Sequence, residues 1–161
     1  MMWVIRAGRN SLHYDKYIQN SKVYIPWDGY RTDLSELKTR ADFRTIVIEE
    51  KGIDNRISVS NWAGQLYTFT RELEKGDFVL IPSKGSRTYS LAKIVSDYQY
   101  DKREKDKLYH SREIEIMDTE IPRDIFSQSV IYSLGAFRTI FRAKHEDEIM
   151  ETITKWKEAF R

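Results

Sequence analysis

The sequence contains no cysteine, only three prolines and seven glycines, and no apolar run that approaches the roughly 20 residues of a membrane-spanning helix. The absence of cysteine excludes a disulfide scaffold and metal sites built from thiolates. The first residues also lack the basic region and the long hydrophobic stretch of an export signal. We therefore expect a protein of the cytoplasm.

Neither sign of charge dominates the chain. Lys and Arg total 27 and Asp and Glu total 25, which leaves a formal net charge of only +2. Any affinity for a polyanion must therefore come from local clustering of basic side chains. A length of 161 residues is enough for one sizeable hydrophobic core, so we expect residues 1–161 to form a single domain.

Short apolar or alternating segments predict a chain rich in strands. The third, fourth and fifth of six such segments follow one another closely along the chain, which favours an antiparallel meander of these three strands. In the sixth segment, Arg138 and Arg142 are spaced to project on the same side of a strand. The six predicted strands cover residues 3–7, 22–25, 78–81, 89–96, 113–116 and 136–143.

Capping residues and apolar spacing predict three longer helices. Thr39 and Asp42 form an approximate capping box before a helix over about residues 40–51. Ser60 is a good N-cap for a second helix, which would carry Trp62 in its first turn and end at Gly76. Residues 145–161 place acidic side chains first and basic side chains last, which complements the dipole of a final helix.

An ordered set of short motifs gives the chain a resemblance to a known module. By these motifs it resembles the N-terminal domain that precedes the nuclease domain in Mrr-like and related modification-dependent (type IV) restriction endonucleases. The matches extend from Trp3 to about Phe141, and the set is much more specific than any one motif. The motifs are WVIRAG at 3–8, IPW at 25–27, DLS at 33–35, NWAGQLY at 61–67, GD at 76–77 and SQS at 127–129.

The resemblance implies a fold and a function. The module is similar to the EVE, YTH and PUA-like group, so the implied fold is α+β, a twisted β-barrel of about five to six strands with helices packed outside. The implied function is recognition of a modified base in double-stranded DNA, without catalysis and without a cofactor or metal. The implied partner is a restriction nuclease domain or subunit in phage defence, to which the helix over residues 145–161 would lead.

Aromatic and polar side chains in the loop after the second predicted strand and at the start of the second predicted helix are the candidates for a base pocket. A base is read by extruding it from the duplex, and each aromatic stack recovers about 1–3 kcal/mol. Core packing is the alternative for Trp62, and local backbone capping is the alternative for Asn61 and for Asp33. The expected pocket consists of Trp27, Tyr30, Asp33, Ser60, Asn61 and Trp62.

Basic side chains from strands and turns are the candidates for contacts with the DNA backbone. Phosphate contacts require Arg and Lys on one face of the protein. Each of these side chains alone is more typical of a solvated surface charge, so the hypothesis concerns the set. The set is Arg6, Arg9, Lys84, Arg87, Arg138 and Arg142.

Two other functions fit parts of the sequence. Asp42, Glu49 and Lys51 superficially match the acidic residue and the Glu-x-Lys of a PD-(D/E)xK-type nuclease, in which carboxylates hold Mg²⁺. That motif requires a strand for its Glu-x-Lys, whereas the pattern here predicts the end of a helix. The second alternative is an RNA-binding module, because PUA-like barrels also bind RNA.

Overall fold

The chain folds as an α+β protein around one sheet that curls into a half-barrel. The computed structural model describes residues 1–160. The strands are β1 (Met2–Ile5), β2 (Lys22–Tyr24), β3 (Phe78–Ser83), β4 (Thr88–Ile94), β5 (Gln99–Tyr100), β6 (His110–Pro122) and β7 (Ile140–Arg142). The helices are α1 (Tyr14–Asn20), α2 (Arg40–Lys51), α3 (Arg56–Tyr67), α4 (Gln128–Leu134) and α5 (Glu146–Ala159).

The sheet has the order β2-β6-β4-β3-β1-β7, and the short β5 pairs with β6. The predicted meander is confirmed, because β3, β4 and β6 are antiparallel neighbours. The first strand lies parallel to β3, and β7 closes that side antiparallel to β1. With 13 residues, β6 is much longer than predicted, and it pairs with β2, β4 and β5.

Side chains from both faces of the sheet are buried. Along β1, Trp3 and Ile5 join a core that contains residues of α1, α2 and α3. Met2 and Val4 alternate with them and join a second core that contains residues of α4 and α5. The strand β1 therefore reads as a continuous apolar run, as is usual for a strand covered on both sides. No helix within residues 1–160 combines the length and the apolar character needed to cross a membrane.

The predicted start of α2 is confirmed and that of α3 is wrong. Thr39 and Asp42 form the complete capping box, and α2 runs to Lys51 as expected. The cap of α3 is Asn55, whose side chain accepts a hydrogen bond from the amide of Ser58 at 3.1 Å. Ser60 therefore lies inside the helix rather than at its start, and Trp62 lies in its second turn.

Other elements also differ from the sequence prediction, and α4 and β5 are among those that were not predicted. The helix α1 was not predicted, because the side chain of its first flanking residue, His13, makes no capping hydrogen bond. The last strand, β7, is limited to Ile140–Arg142, so Arg138 lies in the preceding loop. The final helix is confirmed over Glu146–Ala159, whereas Arg161 lies outside the described residues.

A buried arginine ends the helical segment that begins with α3. After Tyr67 the chain makes a π-helical turn over Thr68–Glu72 and then becomes extended, three residues before the predicted end at Gly76. The guanidinium of Arg112, on β6, donates to the carbonyl oxygens of Phe69 and Leu73 at 2.9 Å each. It also donates to the carbonyl of Ser96 at 3.0 Å, so one side chain joins the helix end to the sheet.

Candidate functional site

A cleft of about 1040 Å³ is the main candidate for a binding site. One wall is formed by the loop over residues 8–13 and the β3–β4 turn, and a second wall by the loop after β2 with the end of α2 and the second turn of α3. The C-terminal end of α4 closes the third side. This volume is at the upper end of the range for small-ligand sites.

Hydrogen bonds hold the first wall together. Ser11 Oγ donates to the carbonyl of Pro82 at 3.3 Å and accepts from the amide of Lys84 at 2.9 Å. Lys84 Nζ donates to Asn10 Oδ1 at 3.0 Å. The N-terminal loop and the β3–β4 turn therefore form one unit beside the cleft.

The backbone of this wall has an unusual number of left-handed residues. Asn10, Ser11 and Arg87 have φ values of 54°, 58° and 54°, and all three line the cleft. Side chains with a Cβ rarely adopt this conformation, and such strain is often found at binding sites. Gly8 also has a positive φ, of 85°, at a position where a Cβ would lie 3.0 Å from the ring of His13.

Three aromatic rings form the opposite wall. The indoles of Trp27 and Trp62 pack edge to face, with centroids 4.6 Å apart, and both line the cleft. The ring of Tyr30 lies 6.5 Å from each of them. Tyr30 is only 1% exposed, so it supports the indoles from behind instead of facing the cleft, contrary to the prediction. Trp27, Tyr30 and Trp62 therefore lie together, as three of the six residues expected to form the pocket.

Lys51 completes this aromatic wall. Its Nζ lies 5.8 Å from the ring centroids of both Tyr30 and Trp62, and it donates to the carbonyl of Asp28 at 2.7 Å. A cation at this distance is attracted by the aromatic faces. Lys51 therefore fixes the loop after β2 against α3 and also places a positive charge in the cleft.

A buried histidine anchors the loop that carries Trp27 and Tyr30. The amide of Leu34 donates to Tyr98 Oη at 3.1 Å, and that hydroxyl lies 2.6 Å from His110 Nδ1. The tyrosine proton therefore points to Nδ1, and the neutral ring donates from Nε2 to the carbonyl of Tyr30 at 2.7 Å. Two points of the loop, Tyr30 and Leu34, are thus attached to β6 through one imidazole.

Burial of His110 predicts a pH dependence of stability. Desolvation lowers the pKa of His110 below its usual range, although the Tyr30 carbonyl and the Glu50 and Asp33 carboxylates act in the opposite direction. Just below about pH 6.5, His110 is protonated in the unfolded chain but remains neutral in the folded chain. The contribution of His110 to stability is therefore complete above that pH and is lost as the pH falls.

Urea unfolding between pH 8 and pH 5 measures this effect. The slope that His110 adds cannot exceed about 1.4 kcal/mol per pH unit, the limit for one proton. His110→Gln keeps a donor near the Tyr30 carbonyl but does not titrate, so its stability should decline less over this range. An identical pH profile for the two proteins would contradict this role of His110.

The cleft is strongly cationic although the whole chain is nearly neutral. Six cations line it against a single carboxylate, that of Asp28. Within residues 1–160, none of the six has a carboxylate partner within 4.0 Å, whereas Asp28 is 3.9 Å from Lys107. Unpaired cations beside apolar walls attract anions. The six are Arg6, Arg9, Lys51, Lys84, Arg87 and Arg123.

The predicted pocket and backbone residues are divided between the cleft and a second groove. This groove, of about 820 Å³, contains Ser60 and Asn61 together with Arg138 and Arg142. Asn61 Oδ1 accepts from Gln65 Nε2 at 3.5 Å, and both Ser60 and Asn61 are exposed. Ser60 and Asn61 therefore do not share a pocket with Trp27, contrary to the prediction, because α3 presents Trp62 to the cleft and these two to the groove.

Two further predicted contacts have structural roles. The guanidinium of Arg6 donates to the carbonyls of Leu134, Ala136 and Arg138, so its hydrogen bonds go to a loop and not outward to phosphate. Asp33 is exposed and its carboxylate accepts from the amide of Ser35 at 2.9 Å, which is the local capping alternative. Neither residue is a base or phosphate contact in this geometry.

The three side chains of the nuclease alternative cannot share one metal ion. Asp42 is in the first turn of α2 and accepts from the amides of Lys38 and Thr39 at 3.1 Å each. Glu49 and Lys51 are at the other end of the same helix. Seven residues of helix separate Asp42 from Glu49 by about 10 Å, far more than two ligands of one Mg²⁺ allow. Residues 1–160 contain no cluster of three potential metal ligands.

Sequence reasoning missed two cationic residues of the cleft. Lys51 was considered only for the nuclease motif, although its position in the last turn of α2 places it beside the loop following β2. Arg123 follows Pro122 at the end of β6, and its amide donates to the carbonyl of Arg87 at 3.0 Å. No local pattern distinguishes either residue from a solvated surface cation.

Comparisons with known proteins identify a family. A family model described as a domain of unknown function (DUF8426) matches residues 3–142, so the chain belongs to this family. An X-ray structure of a Pseudomonas putida protein, a target of the Northeast Structural Genomics Consortium, is 12% identical. The similarity covers 95% of this chain and 98% of that one, with a TM-score of 0.47. No curated protein matches the chain.

Proposed function

We propose that this member of the DUF8426 family is a DNA-binding specificity domain that receives one modified base in the cleft beside Trp27 and Trp62. The base is methylated or hydroxymethylated cytosine, or methylated adenine. One observation carries the proposal: two half-buried indoles face a cleft that six cations line, none of them in an ion pair within the described residues.

The energetics of base recognition fit this combination of side chains. Extrusion of a base costs a few kcal/mol, and stacking on an aromatic ring returns about 1–3 kcal/mol. Phosphate contacts from Arg and Lys supply the remaining affinity without regard to sequence. Arg9, Lys84, Arg87 and Arg123 are exposed at the cleft and are suited to those contacts.

The geometry of the indoles determines where the base lies. Their centroids are 4.6 Å apart and the rings meet edge to face, so no base fits between them. The base therefore stacks against the side of the pair that faces the cleft, while Tyr30 supports the pair from behind. Tyr30 is held in turn by His110, which explains why a buried network lies under this wall.

The finer fold and the biological context belong to the same proposal. A curled sheet in which six strands lie side by side, with helices on both faces, supports a PUA-like (EVE- or YTH-like) barrel. The motifs shared with type IV restriction endonucleases support a cytoplasmic role in phage defence. In that role the domain itself cleaves no bond and directs a nuclease, either fused or separate.

A binding panel tests this function. Duplexes that differ in one central base, unmodified, methylated or hydroxymethylated, are compared with an RNA duplex of the same sequence by fluorescence anisotropy. We expect one modified DNA to bind at least about tenfold more tightly than the unmodified DNA, since one additional methyl group that fits an apolar pocket is worth about 1–3 kcal/mol. Equal affinity across the DNA panel would leave a general nucleic-acid binder, and a preference for RNA would favour the RNA-binding alternative.

A further inference from the structure

The loop over residues 135–139, which we call the ridge loop, carries the most exposed aromatic side chain among residues 1–160. Phe137 is 105% exposed, meaning that its ring contacts almost nothing in the protein. The flanking residues Ala136 and Arg138 are exposed as well. The ring of Phe137 is therefore fully available for contact with a partner.

The ridge loop separates the two cavities. Leu134, Gly135 and Thr139 line the cleft, whereas Arg138 and Ile140 line the second groove. Phe137 therefore stands on the ridge between them. Exposed cations lie on both sides, Arg87 and Arg123 in the cleft and Arg142 in the groove.

The protein holds this exposed loop in one conformation. From one side, Arg6 donates to the carbonyls of Leu134 at 3.1 Å and of Arg138 at 2.7 Å, and also to that of Ala136. From the other side, Gln65 Oε1 accepts from the amides of Thr139 and Ile140 at 3.0 Å each. Gln65 is buried, so the far end of the loop is tied to α3, the helix that carries Trp62.

We propose that Phe137 is a wedge that enters the base stack of a DNA duplex when the neighbouring base is drawn into the cleft. This inference rests on the proposed function. Apolar side chains that insert at a base step replace lost stacking and stabilise the distorted duplex. The ridge loop is suited to that task because phosphates on either side of the inserted ring would lie near cations. The hydrogen bonds from Arg6 to three carbonyls also hold the loop in place when the ring is inserted.

The test compares paired and unpaired DNA. A wedge contributes only where a stack exists, so Phe137→Ala should weaken binding to a fully paired duplex with the preferred base by about tenfold or more. Its affinity for the single strand carrying the same base should stay within about twofold of the parent protein. Phe137→Leu, another side chain used as a wedge, should recover most of the duplex affinity.

Phe160→Ala is the matched control, because it removes another exposed phenylalanine, at the end of α5. It should bind both DNAs like the parent protein. Since Phe137 is exposed, thermal unfolding of Phe137→Ala should be unchanged, which separates the effect from misfolding. Equal losses on duplex and single strand, or no loss on the duplex, would overturn the wedge while leaving the cleft proposal intact. Failure of the parent protein to bind modified DNA would overturn both.

Discussion

Replacement of Lys84, Arg87 and Arg123 by glutamate is expected to lower the affinity for duplex DNA by on the order of a hundredfold at about 0.1 M salt. Each phosphate contact releases close to one counterion, so loss of three contacts should reduce the slope of log affinity against log salt by about 2.7. These three side chains are exposed, line the cleft and have no carboxylate partner within the described residues. A titration at several salt concentrations measures both quantities.

The matched control reverses three exposed cations away from the cleft. Lys102, Arg103 and Lys155 are exposed, and their replacement by glutamate changes the net charge by the same amount. If binding depended on the total charge, both triple variants would lose affinity equally. Such an outcome, or an unchanged salt slope for the cleft variant, would contradict the assignment of phosphate contacts to the cleft.

Arg112→Met is expected to lower the free energy of unfolding by at least about 3 kcal/mol. The arginine is 2% exposed and donates to three carbonyls, which the thioether cannot satisfy. Each buried acceptor left without a partner costs about 1–3 kcal/mol. The lost contacts also join the end of the helical segment that carries Trp62 to the sheet, so binding should weaken together with stability.

Urea unfolding of three variants measures this contribution. Arg112→Lys retains the charge but cannot span three carbonyls, so its loss should lie between those of the parent protein and Arg112→Met. Arg103→Met removes an arginine whose side chain is 89% exposed and should change stability by less than about 0.5 kcal/mol. A change below about 1 kcal/mol for Arg112→Met would mean that the carbonyls find other partners.

Local signals in the sequence predicted the elements that depend on local interactions. The capping box of Thr39 and Asp42 set the start of α2 correctly, because both hydrogen bonds form within four residues. Ser60 failed as a cap because Asn55 supplies an equally good oxygen five residues earlier. Two adequate caps in one polar stretch cannot be ranked without the packing of the helix against its neighbours.

The site was predictable to the extent that it is formed by short segments with distinctive side chains. The meeting of Trp27 and Trp62 is confirmed, since the loop after β2 and the second turn of α3 do converge. The division of Asn61 and Trp62 between two cavities depends on the rotation of α3 about its axis, and the burial of Tyr30 depends on the attachment of its loop to His110. Long-range packing sets that rotation, and a shift of one residue in the helix start changes which side chains face the cleft.

The roles of the basic residues could not be read from the sequence for the same reason. Arg6 was expected to contact phosphate, but the path of the chain from α4 to β7 places three carbonyls around its guanidinium. Lys51 was expected only in a nuclease motif, but the loop after β2 folds over its side chain. Contacts between residues more than 20 positions apart decide both cases.

The most direct test of the account is the affinity difference between the preferred modified duplex and its unmodified counterpart, measured for the parent protein, Trp27→Phe and Trp27→Ala. If the base stacks on the indole pair, Trp27→Ala should lose about 1–3 kcal/mol of this difference, and Trp27→Phe should keep most of it. Affinity for the unmodified duplex should change little, because the phosphate contacts remain. Full discrimination by Trp27→Ala would contradict recognition of the base by this cleft.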